Sequence, residues 1–232
     1  MDAGRLHSLA ATLWPDRPPP IGWARVDTVP AGVAMWDAAA TSACQFWREG
    51  TRRVVAVGSE HGACPVGRLT MGFAAEPPSE RSVIDIMAEI GYIDPAELAH
   101  LPTLPLGHVA IVYGPLRDLP VEAEAVLLLA NAAQLMLLVE ASGQVRLGAG
   151  GVSLSGRPTC AAIPAALREA EMRGSVACVG ARVYADLDPG ELLLVVPAAQ
   201  ADAIADGLER SATANRQLEE LHTAQREQLN PR

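Results

Sequence analysis

The sequence contains no dense block of basic residues. Its 232 residues include 18 basic and 27 acidic side chains, which gives a net charge of −9. Proteins that bind nucleic acids or anionic membranes through charge present clustered Lys and Arg. We therefore expect no nucleic-acid partner and no membrane partner. A small-molecule ligand fits this composition better.

The chain also lacks a hydrophobic run long enough to cross a membrane. The longest apolar run, at 125–139, is about fifteen residues and includes Asn131 and Gln134, whereas a membrane-spanning helix needs about 20. The N-terminal segment MDAGRLHSLAATLW has an acid at position 2 and no small-residue cleavage site after an apolar block, so it does not resemble a secretory signal. We expect a cytoplasmic protein, in which the four cysteines stay reduced and serve as buried residues, metal ligands or reactive thiols.

Several common motifs are missing. No CxxC or CxxCH occurs, so the spacings typical of a zinc knuckle, a thioredoxin-like centre and covalent c-type haem attachment are absent. The glycine-rich segment GAGGVSLSG at 148–156 has neither a third glycine in register nor a Gly-Lys-Ser/Thr ending. We interpret it as a flexible loop rather than a nucleotide-phosphate site.

The hydrophobic pattern interleaves helices and strands. Strands are predicted at 21–26, 54–57, 108–113, 125–130 and 192–196, and helices at 2–14, 37–49, 82–90, 131–140, from about 164 and from about 199. In the second helix, Asp37 would be the N-cap, Ala40, Cys44 and Trp47 would share one face, and Gly50 would end the helix. This arrangement predicts an α+β fold, a mixed sheet covered by helices.

Three segments are predicted along the chain. Residues 1–20 form an N-terminal helix and a Pro-rich connector, residues 21–211 form a single α+β domain, and residues 212–232 form a polar helical tail. Within the domain, the segments 21–147 and 157–211 echo one another, because each holds two cysteines and a Cys-x-x-x-Arg element with an internal glycine. Two similar lobes from a degenerate duplication are one interpretation, and coincidence in an Ala- and Leu-rich chain is the other.

The stretch SEHGACPVGR at 59–68 carries the most specific chemical signal. Proline is favoured at the first position of a helix, so Cys64 followed by Pro65 predicts an N-cap cysteine at the end of a strand. Free backbone N–H groups and the helix dipole stabilise a thiolate at that position. His61 on the preceding loop and Arg68 inside the helix could favour the anion further. A small buried residue that only packs between strand and helix is the structural alternative.

These motifs resemble the uncharacterised ArCR family, domain of unknown function 169, over about residues 20–210. The resemblance maps a His-x-x-Cys-Pro-x-Gly motif and a Cys-x-Gly-x-Arg motif onto this chain, and it implies no particular activity. The residues that carry it are HGACPVG at 61–67, Cys44 before Arg48-Glu49-Gly50, VYGPL at 112–116, the element ending at Gln134, and CVGAR at 178–182.

We formulate a metal hypothesis first. Cys64, Cys178 and one or both of Cys44 and Cys160 would hold an iron–sulfur cluster or another thiophilic metal. Cysteine is the usual cluster ligand, and three ligands with an open position suit catalytic zinc. Arg68 and Arg182 would offer positive charge to a small anionic substrate of redox or Lewis-acid chemistry. The candidate ligands are Cys44, Cys64, Cys160 and Cys178, with His61 as a replacement for one of them.

Two other classes of function stay open at this point. A non-catalytic binding protein would use Cys64, Gln134 and Gln200 to line a pocket at strand ends, with cysteines that only fill space. A thiol enzyme would use Cys64 as nucleophile and His61 as base, which requires sulfur and imidazole within hydrogen-bond reach of about 3 Å.

Overall fold

A computed structural model describes residues 3–38, 42, 44–75, 83–143, 145–146 and 149–229. The strands are β1 Ile21–Val26, β2 Val55–Val57, β3 Ala110–Pro115, β4 Ala125–Ala130, β5 Val145–Arg146, β6 Ala149–Gly150, β7 Ser153–Ser155, β8 Arg173–Ser175 and β9 Leu192–Pro197. The helices are α1 Ala3–Leu13, α2 Gln45–Gly50, α3 Pro65–Thr70, α4 Val83–Glu89, α5 Ala132–Ala141, α6 Ala162–Glu169, α7 Val179–Tyr184 and α8 Ala201–Leu229. Short 3-10 helices connect several of them.

Seven strands form one mixed sheet in the order β2–β3–β1–β4–β9–β8–β7, and β5 and β6 form a separate two-stranded ribbon. All neighbours in the large sheet are antiparallel except β7 and β8. Strands β3, β4 and β9 are buried at every residue, as their continuous apolar sequences require in a sheet covered on both faces. The structure confirms the predicted α+β class.

Each face of the sheet packs against its own set of helices. Helices α2, α3, α6 and α7 cover the first face, where all four cysteines also lie, and we call it the cysteine face. Helices α1, α5 and α8 cover the opposite face. Leu6 of α1 is fully buried in that second core, so the N-terminal helix and the first part of α8 belong to the domain rather than to flexible ends.

The strand pairing of the first half recurs in the second half. β3 and β9 are each six residues long, end at a proline and lead into a 3-10 helix. β1 pairs with β3 so that Ile21 faces Pro115, and β4 pairs with β9 so that Ala125 faces Pro197. The middle residue of β2 pairs with Val112, the third residue of β3, and the middle residue of β8 pairs with Leu194, the third residue of β9. The registers therefore repeat residue by residue.

An approximate twofold axis relates the two halves of the sheet. β1 and β4 are antiparallel neighbours at its centre, and their middle pair is Gly22 opposite Val126. At the two edges, a parallel bridge between Met35 and Ala56 in the first half matches the parallel β7–β8 pair in the second. This repeat divides the chain between β3 and β4, not at 147–157 where the predicted lobes meet. A duplication of the sequence itself stays a prediction.

Two local predictions differ from the structure. The helix predicted at 37–49 begins only at Gln45, and Asp37 does not cap it; the predicted face residue Ala40 lies outside the described residues. The glycine-rich segment is not a simple loop, because its residues 153–155 form edge strand β7 on β8, while Gly148 lies outside the described residues. The sequence misses β7 and β8 because three-residue strands with Gly and Ser depend on neighbouring strands for stability.

Helix α8 is 29 residues long but carries many charged side chains. In the part of the chain that the structure describes, no helix has the length and apolar character that a membrane crossing requires.

Candidate functional site

The four cysteines come from four separate segments of the cysteine face. Cys44 stands directly before α2, and Cys160 lies in the 3-10 turn that leads into α6. Cys64 and Cys178 are the N-cap residues of α3 and α7. Cys44 and Cys160 are core residues with 6% and 5% exposure, and the other two pack against the same core from positions that solvent partly reaches.

The two buried thiols are also electrostatically coupled to the other cysteines. Burial, together with negative charge on Cys178 and on Cys64, raises the pKa of Cys44 to about 12. Burial likewise raises the pKa of Cys160 well above its ordinary value, with added contributions from Cys44, Cys64 and Cys178. All four cysteines belong to or pack against one core on the cysteine face. Within it, α3 contacts the 3-10 turn that carries Cys160, and Thr159 joins that turn to Cys178.

The helix start at Cys64 is the one that the sequence predicts. Cys64 has extended backbone dihedrals, Pro65 occupies the first turn, and the Cys64 sulfur accepts a hydrogen bond from the Gly67 N–H at 3.3 Å. A short connection from β2, which includes a 3-10 turn over 59–63, delivers the chain to this point. The hydrogen bond from Gly67 therefore holds the Cys64 sulfur at the start of α3.

Cys178 is held by a different contact. Its own side chain makes no cap hydrogen bond, but its backbone N–H donates to the Thr159 hydroxyl at 2.7 Å. Thr159 is fully buried and immediately precedes Cys160. This bond fixes the Cys178 turn against the Cys160 turn, two segments of the second half that the sequence pattern alone leaves unconnected.

His61 is fully buried, and the Cys64 backbone N–H donates to its carbonyl at 3.3 Å, but among the described residues its imidazole is not bonded to the Cys64 sulfur. Its Nε2 lies 3.3 Å from the Tyr113 hydroxyl, and its ring stacks on Phe73 with centroids 4.8 Å apart. Burial lowers the pKa of His61 to about 3, so the ring is neutral near pH 7. The other ring nitrogen, Nδ1, has no hydrogen-bond partner in the described part of the chain.

The two arginines of the cysteine motifs have unequal surroundings. Arg68 is exposed, and its Nε approaches the Phe73 carbonyl at 3.4 Å. Arg182 donates through Nη1 to the Asp188 carbonyl and through Nη2 to the Val176 carbonyl, at 2.8 and 2.7 Å. Arg182 therefore clamps the turn before β9 to the end of β8. Anion binding by either guanidinium stays a prediction.

Gln134 and Gln200, the predicted pocket residues, make local bonds instead. Gln134 and Asn131 form a capping box at the start of α5, on the face opposite the cysteines. Gln200 donates to the carbonyl of Ala170 at 2.5 Å. Neither side chain is placed with Cys64.

Two residues near the thiols, Tyr113 and Thr70, are not predicted as site residues because each is a single polar group within a mainly apolar segment. Burial raises the pKa of Tyr113 far above its ordinary range, and charge on Cys160 and Cys44 raises it further. The fully buried Thr70 hydroxyl makes no hydrogen bond among the described residues, and it lowers the pKa of Cys160 because it can donate to the thiolate form.

The side chains do not already form a site for a single metal ion. Across the described residues, no three His, Cys, Asp or Glu side chains are placed so that one ion could be held between them.

Comparison with known proteins identifies the family but no characterised relative. No curated protein and no solved structure shows a significant match. A model of the family described as uncharacterised ArCR, domain of unknown function 169, matches residues 12–207. This match includes all four cysteines and both arginines of the cysteine motifs. The chain therefore belongs to the uncharacterised ArCR family.

Proposed function

We propose that this protein binds a polynuclear iron–sulfur cluster through Cys44, Cys64, Cys160 and Cys178. The observation that carries the proposal is the packing of four free cysteines from separate segments in or against one core. Four cysteine thiolates are the usual ligand set of such clusters. His61 is not among the proposed ligands.

The ligand set favours an iron–sulfur cluster, because cysteine thiolates are its usual ligands. In a four-iron cluster each thiolate binds a different iron, which suits four cysteines that come from four separate segments. Metal binding requires thiolates, so loading would release protons from Cys44 and Cys160, whose pKa values burial raises.

Redox or Lewis-acid chemistry on a small anionic substrate is part of the proposal. Cys64 and Cys178 lie on the partly exposed side of the cluster of thiols, which is where a substrate could approach. Arg68 is exposed in the helix that begins at Cys64 and would attract an anion. A cytoplasmic location, where thiols stay reduced, suits this chemistry.

The thiol-enzyme alternative has less support. The Cys64 sulfur accepts from the Gly67 N–H, and the His61 imidazole is bonded to Tyr113. With a pKa of about 3, His61 is also a poor general base near pH 7, because a good general base has a pKa close to the working pH.

The test is purification without oxygen, followed by absorption spectroscopy and analysis of iron and acid-labile sulfide. We expect broad visible absorption with iron and sulfide in comparable amounts, all lost in four single variants, Cys44→Ala, Cys64→Ala, Cys160→Ala and Cys178→Ala. The matched control is His222→Ala, which removes a potential ligand from the exposed part of α8 and should keep the full spectrum.

Two results would contradict the proposal. One is a folded protein that takes up no iron after reconstitution with ferrous iron and sulfide. The other is a metal content that the four cysteine variants leave unchanged. Bound zinc, or bound iron without acid-labile sulfide, would indicate a mononuclear metal site instead of a cluster.

A further inference from the structure

The twofold repeat extends from the strands to the helices that carry Cys64 and Cys178. α3 and α7 are both six residues long, both begin directly after their cysteine, and both have arginine four residues after it. Position by position, Leu69 of α3 corresponds to Val183 of α7, and Thr70 corresponds to Tyr184. The two helices therefore present equivalent faces to their surroundings.

The equivalent faces differ sharply in burial. Leu69 is 7% exposed, whereas Val183 is 67% exposed; Thr70 is fully buried, whereas Tyr184 is 47% exposed. Side-chain polarity does not explain the difference in burial. In the second pair the small polar residue, Thr70, is buried, whereas the large aromatic residue, Tyr184, is exposed. The α7 face is apolar but lies open.

The difference follows from the segments that come after the two helices. Residues 71–109 separate α3 from β3, and within this segment α4 packs on α3 and the Leu104 N–H donates to the Thr70 carbonyl at 3.0 Å. Only residues 185–191 separate α7 from β9. The second half is too short at this point to build a covering layer.

The open surface extends beyond the helix itself. Val179 is 63% exposed, and Val176, just before the helix, is 46% exposed. We call these two residues, together with Val183 and Tyr184, the α7 face; Val179 and Val183 are four residues apart and so lie on one side of the helix. Large exposed apolar surfaces on folded proteins mark interaction sites.

Acidic side chains border the α7 face. Asp186 and Asp188 follow the helix directly and are exposed. Within the described residues, neither carboxylate forms a salt bridge. Two unpaired acids beside an apolar surface complement a partner that has basic residues beside an apolar stripe.

We propose that the α7 face binds an amphipathic helix of a partner protein, with Lys or Arg residues flanking the apolar stripe of that helix. The bound helix takes the place that α4 occupies in the first half. A helix that lies in an apolar groove through residues spaced three and four apart is a recurrent mode of recognition. The surface stands whether or not a metal is bound, but the partner would come next to Cys178, which begins the same helix.

The experiment uses the full chain and a synthetic helical peptide with Leu residues spaced three and four apart, flanked by Lys. A second peptide has Glu in place of Lys, and a third has the first peptide's composition in scrambled order. Fluorescence anisotropy measures the affinities, and hydrogen exchange locates the bound peptide. The variants are Val183→Asp in the α7 face and Ile90→Asp, which changes an exposed apolar residue beyond α4.

We expect the Lys-flanked peptide to bind and to protect residues 176–184 from exchange. Val183→Asp should weaken its binding by about tenfold or more, the effect of losing a central apolar contact, and Ile90→Asp should leave it unchanged. Equal binding of the scrambled or Glu-flanked peptide would overturn the proposal, as would an affinity insensitive to Val183→Asp. Sedimentation showing a dimer that Val183→Asp dissociates would assign the face to a second copy instead.

Discussion

The hydroxyl of Thr159 accepts a hydrogen bond from the backbone N–H of Cys178 at 2.7 Å. The two residues are nineteen positions apart, and Thr159 directly precedes Cys160. Because Thr159 is fully buried, water cannot replace it as a partner. The bond therefore joins the two cysteine turns of the second half independently of any ligand.

Thr159→Val should destabilise the fold because it keeps the shape of the side chain and removes the acceptor. An unsatisfied buried N–H costs about 1–3 kcal/mol, and we expect the free energy of unfolding in urea to fall by about that amount. Thr159→Ser retains the hydroxyl and should lose less. Equal losses in both variants would show that the methyl group, not the hydrogen bond, is responsible.

Glu191 makes the most deeply buried ion pairs of the described residues. Its carboxylate is 2.5 Å from Nη2 of Arg17 and 2.7 Å from Nη2 of Arg48, and it accepts the Asp188 N–H at 2.9 Å. Glu191 is 3% exposed. It thereby joins the N-terminal connector, the helix after Cys44 and the turn before β9.

Glu191→Gln should cost about 3–5 kcal/mol of unfolding free energy, because two guanidinium groups lose the carboxylate that neutralises them. The control is Glu49→Gln, which removes a more exposed pair with Arg53 and should cost no more than about 1 kcal/mol. Urea unfolding of both variants measures the difference. Similar costs for the two variants would mean that the buried network adds nothing to stability.

The fold could be predicted where the signal is local. The run AVLLLA at 125–130 is apolar throughout, and it forms a strand covered on both faces as expected. The helix predicted from Asp37 shows the limit of this reasoning. Its alanines favour a helix, yet the helix begins only after Cys44, because packing on the sheet, which the local pattern does not contain, decides where it starts.

The candidate site divides in the same way. Pro65 after Cys64 predicts the helix start correctly because the cap depends on adjacent residues. The convergence of Cys44 with Cys160 depends on the pairing of β1 with β4 across the twofold axis. Pairing between distant strands leaves no mark in either segment alone, so the sequence supports the proximity of these thiols only as a hypothesis.

Gly207 lets α8 approach α5 closely. A Cβ atom at this position would overlap the carbonyl of Ala141 at the end of α5. Gly207→Ala should therefore force the two helices apart and cost about 1–3 kcal/mol of stability, although alanine is the better helix former. Thermal unfolding compares it with Gly190→Ala, where a Cβ meets open space. A Gly207→Ala protein as stable as the control would disprove the close approach.

The buried imidazole of His61 should make stability depend on pH. Its pKa in the folded protein is about 3, whereas an unfolded histidine titrates near 6.5. Between these values the unfolded chain binds a proton that the folded protein does not. Above about pH 6.5 neither state binds this proton, so the free energy of unfolding keeps its full value. Below that pH the free energy of unfolding falls by about 1.4 kcal/mol per pH unit.

His61→Gln removes this titration and offers an amide oxygen to the Tyr113 hydroxyl. Burial also lowers the pKa of His7 and His108, but both residues remain in the variant, so the difference between the two proteins isolates His61. Urea unfolding from about pH 4 to 7 should give a shallower dependence in the variant. The gap between the two curves should narrow as the pH falls, because the native protein loses a contribution that the variant lacks. A gap that stays constant over this range would show that the imidazole is accessible to protons in the folded state.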